Sequence, residues 1–91
     1  MESIHLEVRG RVQGVGFRWY VVHTARELRL AGWVKNTADG NVELAAAGES
    51  EALARLEDAV SAGPPGAHVE EVRHLGVVAA ASLQTPFGIL R

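Results

Sequence analysis

The sequence predicts an α+β fold in which an antiparallel sheet of four strands is covered on one face by two helices. Three observations predict it. Apolar residues alternate at every second position near the N-terminus, two later segments carry apolar residues at helical spacing, and an Asp-Gly pair separates two short segments of strand character. Because 91 residues is an ordinary size for one domain, we expect a single domain over residues 1–91.

The first two elements are a strand and a helix joined by a glycine-rich loop. Ile4, Leu6 and Val8 alternate with polar residues, which is typical of a strand with one buried face. Beyond Phe17 the apolar residues recur at i, i+4 and i+7, as on one side of a helix. We expect this helix to end at Gly32, because glycine is common just past a helix C-terminus.

The middle of the chain is predicted to form a hairpin followed by a second helix. Residues 33–37 and 42–46 have strand composition, and the Asp-Gly pair at 39–40 is a strong signal for a tight turn between antiparallel strands. The second helix is expected to begin near Ser50, a favourable N-cap residue, and to end at the Gly-Pro-Pro-Gly sequence of residues 63–66. Its predicted buried residues are Leu53, Leu56 and Val60.

The remaining segments complete the order β-α-β-β-α-β. Residues 69–78 look extended, but Val69 and Val72 are three positions apart, which predicts a β-bulge. Residues 87–90 are a candidate for a short fifth strand at a sheet edge. This order is typical of the ferredoxin-like split β-α-β sandwich, in which both helices pack on one face of the sheet. Many activities occur on this fold, so specific residues must identify the function.

Composition and charge exclude several classes of function. With 9 basic and 11 acidic residues, the chain lacks the excess of Lys and Arg typical of nucleic-acid-binding proteins. It has 0 Cys, which excludes disulfides and thiolate metal sites. We expect no metal and no cofactor, because the histidines are scattered. No leader or membrane-spanning run is visible, so we expect a monomer in the cytoplasm with no membrane partner. The histidines are His5, His23, His68 and His74.

The loop between the first strand and the first helix is a candidate anion site. Gly14 and Gly16 can adopt positive φ, which would point successive backbone N–H groups at one spot. No residue from 14 to 17 can cap the helix with a side chain, and Arg18 places a cation in the first turn, where it opposes the helix dipole. A phosphate-sized anion would satisfy the N–H groups and the guanidinium together.

Two alternatives to an anion site stay open on these residues alone. Glycines in such a connection can serve turn geometry, and an arginine there can simply be solvated. Known nucleotide motifs do not fit, because Lys-Ser/Thr is missing after the last glycine and Trp19 stands where a dinucleotide fingerprint needs a third glycine.

Two ordered segments of the chain resemble the signature segments of the acylphosphatase family. They are Gly-Arg-Val-Gln-Gly-Val-Gly-Phe-Arg at 10–18, and Gly-Trp-Val-Lys-Asn-Thr at 32–37 followed by Asp-Gly-Asn-Val-Glu at 39–43. The resemblance covers about residues 6–67 and implies a ferredoxin-like hydrolase of acyl phosphates. It also implies that Arg18 and Asn36 are catalytic, with Asn36 positioning the attacking water. The implied phosphate-binding residues are Val12, Gln13, Gly14, Val15, Gly16, Phe17 and Arg18.

The implied reaction needs few catalytic groups. An acyl phosphate releases a carboxylate, which leaves at neutral pH without a general acid because its conjugate acid has a pKa of about 4. The implied partners are a small acyl phosphate and inorganic phosphate.

Two other functions are alternatives to hydrolysis. RNA binding is disfavoured because residues 4–9 and 42–47 contain no aromatic residue on which bases could stack. A noncatalytic or regulatory domain that binds acyl or carbamoyl phosphate remains the alternative. Trp33 and Tyr20 are expected to be packing residues.

Overall fold

The elements follow one another in the predicted order, with a short 3₁₀ helix added before the last strand. The computed structural model describes residues 1–90. Within that range the elements are β1 (Glu2–Arg11), α1 (Phe17–Glu27), β2 (Ala31–Asn36), β3 (Val42–Gly48), α2 (Ser50–Ala62), β4 (His68–Gly76), the 3₁₀ helix (Ala80–Ser82) and β5 (Gly88–Ile89). The α+β fold class predicted from the sequence is confirmed.

The strands form one sheet in the order β4-β1-β3-β2-β5. Neighbours are antiparallel except β5, which runs parallel to β2 at the sheet edge. The candidate fifth strand is therefore confirmed. The sheet is mostly antiparallel, and β1 lies near its middle, with Leu6 opposite Leu44 of β3 and His74 of β4.

The core lies between one face of the sheet and the two helices. Alternation along β1 and β3 sends every second side chain to this face, and the apolar stripes of both helices cover it. All three residues predicted for the buried side of α2 belong to the core. The largest fully buried side chains are Phe17, Phe87, Leu6, Leu44, Leu56, Val8, Val12, Val21, Val22, Val34, Val42 and Val60.

The prediction that the first helix ends at Gly32 is wrong. The helix ends at Glu27, and Arg29 adopts the left-handed conformation with φ 59°. The N–H of Arg29 donates to the carbonyl of Arg26 at 3.0 Å, and the N–H of Leu30 donates to the carbonyl of Ala25 at 2.9 Å. This is a Schellman motif with arginine in the position that glycine usually takes.

Gly32 instead lies inside β2, where crowding explains the glycine. A Cβ added to it would collide with the carbonyl oxygen of Ala45 and approach the ring of Phe87. Strand β2 consequently begins at Ala31, two residues before the predicted start. Helix α2 begins at Ser50 as predicted, but the N-cap position is Glu49, whose side chain makes no capping hydrogen bond.

The predicted β-bulge in the last long strand is confirmed. The register between β1 and β4 passes from Arg9 opposite Glu71 to Gly10 opposite Val69, so Glu70 is the extra residue.

Residues 77–87 connect the two edges of the sheet. Because β4 and β5 lie at opposite edges, this segment must cross the sheet, and it contacts β3 on the way. Ser3 Oγ donates to the carbonyl of Val78 at 2.6 Å, and the N–H of Gly32 donates to the carbonyl of Gln84 at 2.8 Å. These bonds join the segment to β1 and to β2. No helix within residues 1–90 is long and apolar enough to cross a membrane.

Candidate active site

The connection between β1 and α1 curls because two glycines take positive φ. Gly14 has φ 77° and Gly16 has φ 78°. A Cβ added at either position would meet no atom within 4 Å, so backbone conformation and not crowding requires glycine there. The open space beside both glycines leaves the backbone accessible to a ligand.

Helix α1 begins without a side-chain cap. Gly16 occupies the N-cap position and offers no capping oxygen, and the first turn contains no acidic residue. The first helical hydrogen bond runs from the N–H of Tyr20 to the carbonyl of Gly16 at 3.1 Å. The N–H groups of the first turn therefore point away from the N-terminal end of the helix, which carries a positive partial charge.

Arg18 lies in this first turn without a counter-charge among residues 1–90. Within residues 1–90 its guanidinium makes neither an ion pair nor a hydrogen bond, although other arginines are paired. A cation at a helix N-terminus is unfavourable by about 0.3 to 1 kcal/mol. An anion bound between the guanidinium and the N–H groups would be attracted by both, and these attractions would outweigh the repulsion between the guanidinium and the helix end.

Asn36, the last residue of β2, reaches the same place. One cavity of about 90 Å³ is lined by residues from the loop, from the start of α1 and from β2. The structure thus brings together the two predicted catalytic residues, which are 18 positions apart in the sequence. The Asn36 amide makes no hydrogen bond to any described side chain or backbone group in residues 1–90, so it is available to a ligand or water. The lining residues are Val12, Gly14, Gly16, Phe17, Arg18, Trp19 and Asn36.

Two of the predicted phosphate-binding residues, Gln13 and Val15, do not line the cavity. Val15 packs against the hydrophobic core. The Gln13 side chain points to the β2–β3 turn, where its Nε2 donates to the carbonyls of Thr37 at 2.9 Å and Asn41 at 2.8 Å. For both residues, a role in phosphate binding through the backbone N–H stays a prediction.

The turn that Gln13 contacts is itself well bonded. The N–H of Thr37 donates to the carbonyl of Asn41 at 2.9 Å, and the N–H of Asn41 donates to Thr37 Oγ1 at 3.1 Å. The turn directly follows Asn36, so Gln13 links the glycine loop to the segment that carries the amide. Sequence reasoning missed this link, because nothing local to Gln13 indicates a partner 24 residues away.

Tyr20 packs against the core, as predicted, whereas Trp33 lies outside the hydrophobic core of the described residues, so the packing role predicted for it is not confirmed. Tyr20 stacks edge-on against Phe17 and donates its hydroxyl to the carbonyl of Ala59 at 2.8 Å, which fixes α1 against α2. Trp33 lies on the sheet face away from the helices, with its ring 5.8 Å from that of His5. Trp19 was not predicted to belong to the site, although it lines the cavity.

Other polar features of the surface do not resemble the site. A shallow depression of about 710 Å³ lies beside Arg9, but Glu70 and Glu71 also line it, so its charge does not favour an anion. His5 and His74 each face a single glutamate, at 2.6 and 2.8 Å. In the part of the chain that the structure describes, no three His, Asp or Glu side chains gather as a metal site would require.

Comparison with known proteins finds relatives along most of the chain. A family model described as acylphosphatase matches residues 4–85. The acylphosphatase of Koribacter versatilis is 52% identical over 65 residues, which are 71% of this chain and 59% of that protein. The acylphosphatase of Acidiphilium cryptum is 52% identical over 72 residues, 79% of each chain. The crystal structure of acylphosphatase from Bacillus subtilis superposes with a TM-score of 0.93 at 38% identity and covers 100% of both chains.

Proposed function

Because the chain belongs to the acylphosphatase family, we propose that it hydrolyses the carboxyl–phosphate anhydride of acyl phosphates to a carboxylate and inorganic phosphate. One observation carries the proposal. Among the residues that the structure describes, a guanidinium without an ion pair, a helix N-terminus without a side-chain cap and an amide side chain without a hydrogen bond line one small cavity. Together they can bind a phosphoryl group and a water molecule.

Binding of the phosphoryl group is assigned to the loop and to Arg18. The N–H groups of residues 12–17 bind the phosphoryl oxygens from one side, and the planar guanidinium donates from the other. The favourable end of the helix dipole adds to this attraction. The same groups stabilise the charge on the equatorial oxygens during transfer, when most of the rate enhancement must come from electrostatics.

The chemical step is assigned to a water held by Asn36. The water oxygen attacks phosphorus while the bond from phosphorus to the bridging acyl oxygen breaks, and the electron pair of that bond leaves with the carboxylate. One water proton stays on the attacking oxygen and the other passes to a phosphoryl oxygen. The Asn36 amide orients the water and does not accept its proton, since an amide has no useful basicity at neutral pH.

The proposal also covers the partners of the protein, its oligomeric state and its location. The partners are a small-molecule acyl phosphate and inorganic phosphate, and the protein acts as a monomer in the cytoplasm, without nucleic acid, membrane, metal or cofactor. The proposal that no metal takes part is supported by the charges at the cavity, because Arg18 and the backbone N–H groups can balance a dianion.

The test is release of inorganic phosphate from acetyl phosphate, with phenyl phosphate as the control ester, both in the presence of a chelator. We expect turnover of acetyl phosphate at a rate far above its spontaneous hydrolysis and no turnover of phenyl phosphate. The ester is spared because its phenolate is a much poorer leaving group than a carboxylate. Binding of phosphate without any acetyl phosphate turnover would favour the noncatalytic, acyl or carbamoyl phosphate-binding domain instead.

A further inference from the structure

Trp19 is an exposed aromatic residue at the rim of the candidate active site. Its side chain is 57% exposed, and it occupies the first turn of α1 directly after Arg18. Within residues 1–90, the other large apolar residues with comparable exposure are Met1, Leu75 and Val77, and none of them lines the cavity. Of this group, Trp19 alone is placed where a substrate would contact it.

Packing of the hydrophobic core does not explain why residue 19 is a tryptophan. The residue belongs neither to the buried cluster nor to the side chains packed against it. Within residues 1–90 its one aromatic neighbour is the ring of His23, one turn further along α1, at 6.5 Å and a tilt of 44°. Leaving so much indole surface in water forgoes the favourable free energy of burying it.

The size of the cavity shows which part of a substrate would reach this ring. Cavities that enclose a whole drug-sized ligand have volumes of about 300–1,000 Å³. At about 90 Å³, this cavity accommodates a compact phosphoryl group and leaves no room for an extended acyl chain. The acyl group must therefore project across the rim, where Trp19 offers an apolar surface beside the cationic Arg18.

We propose that Trp19 is a specificity-determining residue that contacts the acyl group, so that the preferred substrates are acyl phosphates with an aromatic or extended apolar acyl chain. The inference rests on the proposed hydrolysis and deepens it. The indole covers one side of the acyl chain in the ground state and in the transition state alike. Such uniform binding lowers KM and leaves kcat little changed.

The test compares 3-phenylpropanoyl phosphate with acetyl phosphate. Their carboxylic acids are of nearly equal strength, so the leaving groups match and the difference in kcat/KM reports contacts to the acyl chain. We expect the wild type to prefer the phenylpropanoyl substrate, and we expect Trp19→Ala to reduce that preference about tenfold, through KM. Trp19→Phe should retain most of it. Leu75→Ala, which removes an exposed apolar side chain outside the cavity, is the control and should keep the wild-type preference.

Each outcome separates this inference from the proposed function. Equal preference ratios in the wild type and Trp19→Ala, with both substrates hydrolysed, would overturn the role of Trp19 and leave the hydrolysis standing. A wild type that hydrolyses neither substrate would overturn the proposed function itself. A fall in kcat for both substrates alike would show that Trp19 shapes the helix start and does not bind the acyl chain.

Discussion

At the scale of single residues, we propose different roles for Arg18 and Asn36, since Arg18 binds the phosphoryl group and Asn36 positions the water. Arg18 can contact the phosphoryl group both before and during transfer, so Arg18→Ala is expected to weaken competitive inhibition by phosphate and to lower kcat. Asn36→Ala is expected to lower kcat by on the order of 10² while the inhibition constant for phosphate stays near the wild-type value. Steady-state kinetics on acetyl phosphate, with phosphate as the inhibitor, measures both constants.

Arg55→Ala provides the matched control for this pair of variants. Arg55 is exposed on α2, where it pairs with Glu51 at 3.2 Å, and it lies outside the cavity. Its removal should change neither constant. If Asn36→Ala folds and turns over at close to the wild-type rate, Asn36 has no part in the mechanism and the loop with Arg18 must orient the water.

At the scale of elements, Gln13 connects the glycine loop with the β2–β3 turn. Gln13→Glu keeps the shape of the side chain but replaces its two N–H donors by a carboxylate that faces two carbonyl oxygens. We expect the free energy of unfolding to fall by roughly 1–3 kcal/mol. We also expect kcat to fall more than phosphate affinity, because Asn36 is then held less firmly. Chemical denaturation and the same kinetics check these effects, and unchanged values of both would show that the link is dispensable.

The end of α1 supplies a prediction about stability alone. Arg29 holds the left-handed conformation that costs a non-glycine residue about 1–2 kcal/mol. Arg29→Gly should therefore raise the free energy of unfolding by about 1 kcal/mol, since the gain is offset in part by the flexibility of glycine in the unfolded chain. Arg55→Gly, the same change inside helix α2, should lower it by about 1 kcal/mol. Thermal melts of the two variants should shift in opposite directions, and a lower melting temperature for Arg29→Gly would contradict the explanation.

At the scale of the whole molecule, binding at the site should stabilise the fold. A ligand that binds only the folded state stabilises it by about 2.7 kcal/mol at 100 times its Kd. Inorganic phosphate should accordingly raise the melting temperature of the wild type above its value in sodium chloride of equal ionic strength. Arg18→Ala should show a much smaller rise, because it lacks the guanidinium. Identical responses of the two proteins would mean that phosphate acts through general salt effects and not at this cavity.

Much of the fold could be predicted from the sequence because the controlling signals are local. The alternation in β1, the helical spacing in α1 and α2 and the Asp-Gly turn each lie within a few neighbouring residues, and all four elements are confirmed. The positive φ of Gly14 and Gly16 could likewise be anticipated, since only glycine adopts it at little steric cost. Local patterns in the sequence therefore predicted the fold class and the glycine loop, and the resemblance to the acylphosphatase family supplied the two candidate catalytic residues.

The contacts between residues far apart in the sequence could be seen only in the folded structure. The prediction that Gly32 ends a helix is wrong because the reason for this glycine is not local. The atoms that leave no room for a side chain at position 32 belong to Ala45, on a neighbouring strand, and to Phe87, near the C-terminus. The contact of Gln13 with Thr37 and the place of Trp19 beside the cavity were missed for the same reason. The path of residues 77–87 depends on which strands occupy the sheet edges. Contacts between residues far apart in sequence follow from packing the elements together, and no local pattern of residue types records them.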